Sequence, residues 1–173
     1  MSPPKRKPTK KRKPMKTSAK GQEFIRRHEG LRLTPYKVPG AGEKYWTVGY
    51  GHYGPDVKAG VPITQAQANA LLKKDLGQFE ETVRKVLPSN ATQEEFDALV
   101  SFAYNLGPAV LTDHNLSTIA RRLDANEAKT QKGRKDIYED ELPKWVKAGG
   151  NTLPGLVQRR KDEVRLATKG RYK

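Results

Sequence analysis

Nine lysines and arginines stand among the first 20 residues (Lys5, Arg6, Lys7, Lys10, Lys11, Arg12, Lys13, Lys16 and Lys20), with no carboxylate, no aromatic side chain and four prolines among them. Like charges at this density repel, proline removes backbone donors, and almost nothing apolar is present to collapse. Residues 1–20 therefore read as a disordered polycationic tail, and a folded domain is expected over residues 21–173. Of the chain's formal charge of +15, that domain keeps only +6, from 25 basic and 19 acidic groups over 153 residues. A stretch of this length suits one domain with one core.

Several classes drop out on composition. With no cysteine there is no disulfide framework, thiol nucleophile or thiolate metal site. The three histidines, His28, His52 and His114, lack zinc-ligand spacing, so neither a metal nor a cofactor is expected. No apolar run approaches the ~20 residues of a membrane-spanning helix. The tail is not followed by the apolar segment of a secretory signal, and no Walker-type phosphate loop appears.

Patterning along the chain predicts α+β. Residues 22–29 form a short helix with Phe24, Ile25 and His28 on one face, stopped by Gly30. Residues 31–44, with Pro35, Pro39, Gly40 and Gly42, read as irregular. Tyr45 to His52 alternates as one strand, with Trp46, Val48, Tyr50 and His52 on one face and Thr47, Gly49 and Gly51 on the other. Capping boxes at Thr64–Gln67 and Thr92–Glu95 open two amphipathic helices, the second stopping near Gly107. A helix follows from about Leu116 to Asp124, residues 126–137 read as a polar loop, and helices near 138–147 and 155–168 complete the chain.

Glu29 is the residue whose position invites a chemical reading. It stands in the last turn of a helix, where the negative end of the dipole disfavours a charged carboxylate and would push its pKa upward. A glutamate held partly protonated suits a general acid, while a plain ion pair with Arg26, Arg27 or His28 accounts for the same position. The strand's bare face, with Thr47 as its one side chain, suits a cleft floor, and equally a bulge or helix packing.

The segments Glu29-Gly30-Leu31-Arg32-Leu33-Thr34-Pro35-Tyr36 and Trp46-Thr47-Val48-Gly49-Tyr50-Gly51-His52 resemble the phage-type lysozyme (endolysin) family, which includes the lysozyme of T-even phages. So do Ile63–Ala68, Phe96–Gly107, Trp145–Gly150 and Leu153–Arg160, in the family's order, so the resemblance covers roughly residues 21–168. It implies a small sheet-bearing N-terminal lobe, a larger helical C-terminal lobe, and an active-site cleft between them. It implies cleavage of the β-1,4 bond between N-acetylmuramic acid and N-acetylglucosamine in peptidoglycan, with host cell lysis. Glu29 matches the family's general acid and Thr47 its catalytic threonine, which positions water. Arg160, or its neighbour Arg159, is expected to reach back to Glu29, and His52 to organise the cleft. Gly49, Tyr50 and Asn105 are expected substrate contacts.

One position departs from the pattern. The family usually places an aspartate, sometimes a cysteine, nine residues after the catalytic glutamate; here Val38 stands there, and eight residues separate it from Thr47 where many members have five. Three routes stay open: Glu43 in the lengthened loop as second carboxylate, water positioned by Thr47 and backbone, or lytic transglycosylation with Glu29 as the one carboxylate. The competing functions are a wall-binding module that has lost activity with Val38, and a basic nucleic-acid-associated protein. The tail lacks aromatics to stack on bases, so no specific nucleic acid is expected; anionic envelope polymers or lipid head groups are its expected targets. The resemblance further implies a monomer held in the host cytoplasm until a holin releases it to the wall.

Overall fold

The structure, a computed structural model, describes residues 12–173. Residues 1–11, the larger part of the expected tail, lie outside the described residues. The rest of that segment does not behave as an arm as far as Lys20. Arg84 Nη1 donates to the Met15 carbonyl (2.6 Å), Gln93 Nε2 to the Lys16 carbonyl (2.8 Å), and the Thr17 amide to Glu80 Oε1 (3.0 Å). Met15 packs against the core and Thr17 is buried. The folded unit thus begins near Met15, ahead of the boundary drawn at Lys20, because backbone groups rather than side-chain type supply the anchoring bonds.

Helix α1 (Ala19–Glu29) starts at Ser18, whose hydroxyl oxygen accepts from the Gly21 amide. Ser18 also gives its amide (3.0 Å) and hydroxyl (2.5 Å) to Asp97, which fastens the helix start to the centre of the molecule. Glycine is required at position 21, since a Cβ there would lie 2.5 Å from the Asp97 carboxyl carbon.

The expected single strand is a hairpin, and the segment before it is not irregular. Strands β1 (Arg32–Tyr36), β2 (Trp46–Gly49) and β3 (His52–Gly54) form an antiparallel sheet in that order. Val48 pairs with His52 and Thr47 with Tyr53. Gly49 (φ 70°) and Gly51 (φ 101°) take the left-handed conformations that reverse the chain between β2 and β3. Pro35 is tolerated in β1 because β1 is an edge strand, with an irregular register against β2.

Helix α2 (Gln65–Val86), about 33 Å long at 1.5 Å per residue, packs on β2 and β3 near its start and on α3 (Gln93–Leu106) further along. Both helices carry complete capping boxes, at Thr64/Gln67 and Thr92/Glu95. Helix α3 is the hub. Phe96, Ala98, Leu99, Val100, Phe102 and Ala103 are all buried, so its apolar residues face inward all round. Short α4 (Thr118–Leu123) leads to α5 (Gln131–Glu141), and α6 (Pro154–Lys169) closes the bundle against α3.

Helix α5 occupies much of the stretch expected to be loop. The misleading residue is Arg134, which counts as polar in sequence yet is wholly buried. Its Nε donates to Glu95 Oε1 (2.7 Å) and its Nη1 to the Ala128 carbonyl (2.9 Å) and Asn90 Oδ1 (3.1 Å). Residues 142–152, expected in part as helix, form a 3-10 turn (Leu142–Lys144) and a small exposed hairpin, β4 (Lys147–Ala148) with β5 (Asn151–Thr152). The fold is α+β: a small sheet lobe early, a larger helical lobe after it, and α2 running between them.

Candidate active site

Glu29 is the last residue of α1, and Gly30 (φ 68°) turns the chain away directly behind it. Its side chain lines a cavity of about 310 Å3 between the sheet lobe and the helical lobe, together with Tyr50, His52, Tyr53, Asp75, Tyr104 and Asn105. Glu29 Oε1 accepts from Arg159 Nη1 at 2.5 Å. Arg159, not Arg160, is therefore the arginine that reaches back from α6.

Arg159 is locked in turn. Its Nε donates to Glu163 Oε1 (3.1 Å), one helical turn on, and its Nη2 to the Ser101 carbonyl (3.1 Å). Glu163 is fully buried, accepts the Ser101 hydroxyl (2.7 Å), and also lies 2.9 Å from Arg160 Nε. Arg160 stacks over the Phe102 ring and gives Nη2 to Asn105 Oδ1 at 2.7 Å. One buried carboxylate thus orients two arginines, and each arginine holds a residue of the cavity. A side chain restrained at this many points loses little further freedom when its partner reacts. Arg160 supports the cleft through Asn105 rather than through Glu29.

Two histidines flank this arrangement in opposite electrostatic settings. His28 precedes Glu29, packs edge-on to Phe24 and lies 3.3 Å from Asp162. Burial, reinforced by Arg159 and opposed by Asp162, pushes it down to about 4, so it is neutral at pH 7. His52 contacts Asp75 through Nδ1 (2.7 Å) and Asp56 through Nε2 (2.9 Å), tying β3 to α2. Burial works against its proton, but the hydrogen bonds that the imidazolium donates to the two carboxylates outweigh it and raise the pKa above 6.5.

These shifts set a pH dependence of stability with a worked sign. His52 binds its proton more tightly folded than unfolded, so its contribution is complete below about pH 6.5 and is lost as pH rises through its folded value. His28 binds its proton less tightly folded, so its contribution is complete above about pH 6.5 and is lost as pH falls toward 4. Allowing for partial solvent screening, the His28 shift is worth about 1–2 kcal/mol. Thermal midpoints measured across pH should therefore be highest near pH 6.5. His52→Asn should flatten the alkaline limb and His28→Asn should reduce the loss between pH 6.5 and 4; unchanged limbs in both variants would refute the assignment.

The remaining expected residues are divided. Tyr50 and Asn105 line the Glu29 cavity. The Tyr50 carbonyl accepts the Tyr104 hydroxyl at 2.8 Å, a bond from α3 across to the hairpin. Burial first, then the Glu29 charge, pushes the Tyr104 phenol well up, so it stays a neutral donor. Gly49 is not among the residues lining this cavity; a Cβ there would make ordinary contact with Ala68 Cβ at 3.4 Å, so its positive φ of 70° rather than lack of space favours glycine. Thr47 is buried on the middle strand between Tyr36 and Tyr53, and is not among the residues lining the cavity.

Glu43 also lies outside that lining. Its Oε2 accepts the Val38 amide at 2.8 Å, so the lengthened loop folds this carboxylate back onto the position where the family usually carries aspartate. Lys37 Nζ closes the same loop on the Glu43 carbonyl (2.9 Å). Sequence reading missed Asp75, Tyr104, Ser101 and Glu163. Only Glu163 left a signal, its four-residue spacing from Arg159 on one helix face. Among the described residues, no group of three or more His, Asp or Glu is arranged to hold a metal ion.

Comparison with known proteins gives a consistent answer. The phage lysozyme family matches residues 26–163. The endolysin of Bacillus phage PZA is 41% identical over 157 residues, covering 90% of this chain and 56% of its own length. This chain thus spans a little over half the length of that relative. Among solved structures, the endolysin from Escherichia coli O157:H7 phage FAHEc1 superposes with a TM-score of 0.71 at 33% identity, over 92% of this chain and 97% of its own. The muramidase domain of SpmX from Asticaccaulis excentricus gives 0.70 at 31% identity, over 87% and 96%.

Proposed function

Since this chain belongs to the phage lysozyme family, we propose that it is an endolysin that cleaves the β-1,4 bond between N-acetylmuramic acid and N-acetylglucosamine in peptidoglycan, with Glu29 as general acid. One observation carries the reading. Glu29 faces the interlobe cavity, and Arg159 occupies its Oε1 alone. The other oxygen, Oε2, is the one through which Glu29 would deliver a proton to the leaving glycosidic oxygen. Arg159, fixed by Glu163 and Ser101, keeps that oxygen aimed as charge develops.

Thr47, buried outside the cavity lining, takes no part in this proton transfer, and Glu43 closes its loop at Val38. No cofactor is needed, since acid–base groups suffice. The protein works as a monomer and gains the wall from the host cytoplasm once a holin has opened the membrane. Turbidity of purified walls tests the activity directly: the wild-type chain clears the suspension, and a failure to release soluble fragments at any pH from 5 to 8 sinks the proposal.

A second route has its own support. Asp75 is the other carboxylate lining the cavity, and its Oδ2 is engaged by His52. A site with one uncommitted carboxylate also suits a lytic transglycosylase, in which the muramic acid's own hydroxyl attacks. Hydrolysis leaves a reducing sugar end, whereas this route leaves a 1,6-anhydro end.

A further inference from the structure

The two ends of the described chain meet on one face. Tyr172 donates its hydroxyl to Asp97 Oδ2 (2.7 Å), the same carboxylate that takes the Ser18 hydroxyl at the start of α1. Arg27 donates to the Tyr172 carbonyl, and Lys20 Nζ stands 5.9 Å over the Tyr172 ring. A cavity of about 600 Å3 lies between α1 and this C-terminal segment. From Arg12 to Arg27 and from Lys169 to Lys173 the sequence carries nine lysines and arginines against one carboxylate, Glu23, which is already paired with Arg26; Glu94 of α3 also packs beside Gly170 at this face. Lys16, Lys20, Arg27, Lys169, Arg171 and Lys173 are exposed.

We infer that this face is a binding surface for a linear phosphodiester polymer of the cell envelope, of the poly(glycerol phosphate) type. Neither segment suffices alone in this account: the fold adds the C-terminal cations to those of the N-terminal segment. A flexible polyanion is held by release of its condensed counterions, and the slope of log affinity against log salt counts the charges engaged. The one aromatic ring of the face, Tyr172, is covered by Lys20 and hydrogen-bonded at its hydroxyl, so no platform is offered for a nucleic acid base. The choice of a wall polymer rests on the proposed wall-cleaving activity; the cationic face does not.

The test titrates the full chain with poly(glycerol phosphate) across salt. The triple variant K169Q/R171Q/K173Q should bind about tenfold more weakly at low salt, with the slope reduced by about 2. The variant K58Q/K73Q/K85Q removes the same charge from exposed positions elsewhere and should leave slope and affinity close to wild type. Clearing of polymer-free peptidoglycan should be equal in all three proteins, so that loss of binding is read apart from loss of cleavage. Equal weakening by the two triple variants would reduce the effect to net charge and overturn the inference, as would an unchanged slope in K169Q/R171Q/K173Q. Tighter binding to single-stranded DNA, with the same dependence on residues 169–173, would overturn the choice of ligand.

Discussion

Glu29→Gln will lower the rate of peptidoglycan clearing by about 10²–10⁴-fold, the share that a positioned general acid supplies, and will leave the fold intact. The substitution is close to isosteric. The amide oxygen can still accept from Arg159, whose other bonds to Glu163 and Ser101 do not involve Glu29. What is lost is the proton at the second oxygen, since an amide cannot donate to the glycosidic oxygen as an acid does. Turbidity rates for both proteins, with circular dichroism and thermal midpoints as controls, read the two effects separately. A variant that clears walls at the wild-type rate would remove Glu29 from the chemistry.

Glu95→Ala will be the most destabilising single change, costing about 3–5 kcal/mol. Glu95 and Arg134 are both fully buried. Glu95 Oε1 accepts Arg134 Nε (2.7 Å) and the Tyr138 hydroxyl (3.1 Å), while Oε2 accepts the Thr92 amide (2.8 Å) that opens α3. Alanine would leave a guanidinium in the core without its counter-charge and would remove half of a capping box. Against a typical total of about 5–15 kcal/mol, such a protein lies near the edge of folding. Urea midpoints with an unchanged m-value measure the loss. A shift below about 1 kcal/mol would show that Asn90 and the Ala128 carbonyl alone satisfy Arg134.

Local chemistry made part of this legible from sequence. The two capping boxes open helices where Thr64 and Thr92 said they would, because the cap bonds involve only residues three apart. Glu29 before Gly30 was visible for the same reason. What escaped depended on contacts between distant segments. The alternation from Trp46 to His52 runs through a chain reversal that period-two patterning cannot detect, since the reversal lies in positive φ at Gly49 and Gly51. Arg159 and Arg160 point about 100° apart on α6, and which one meets Glu29 is decided by how α6 packs on α3. Arg134 looked like loop because its partner Glu95 lies 39 residues away. Val38 was legible as a departure, but that Glu43 folds back onto its amide required the loop's own geometry.

The measurement closest to the central claim is the mass of the glycan ends released from purified peptidoglycan by the wild-type chain, with Glu29→Gln run beside it. Hydrolysis driven by Glu29 predicts N-acetylmuramic acid reducing ends from the wild type and at most a trace from the variant. Release of 1,6-anhydro ends, or equal release by the two proteins, would contradict it.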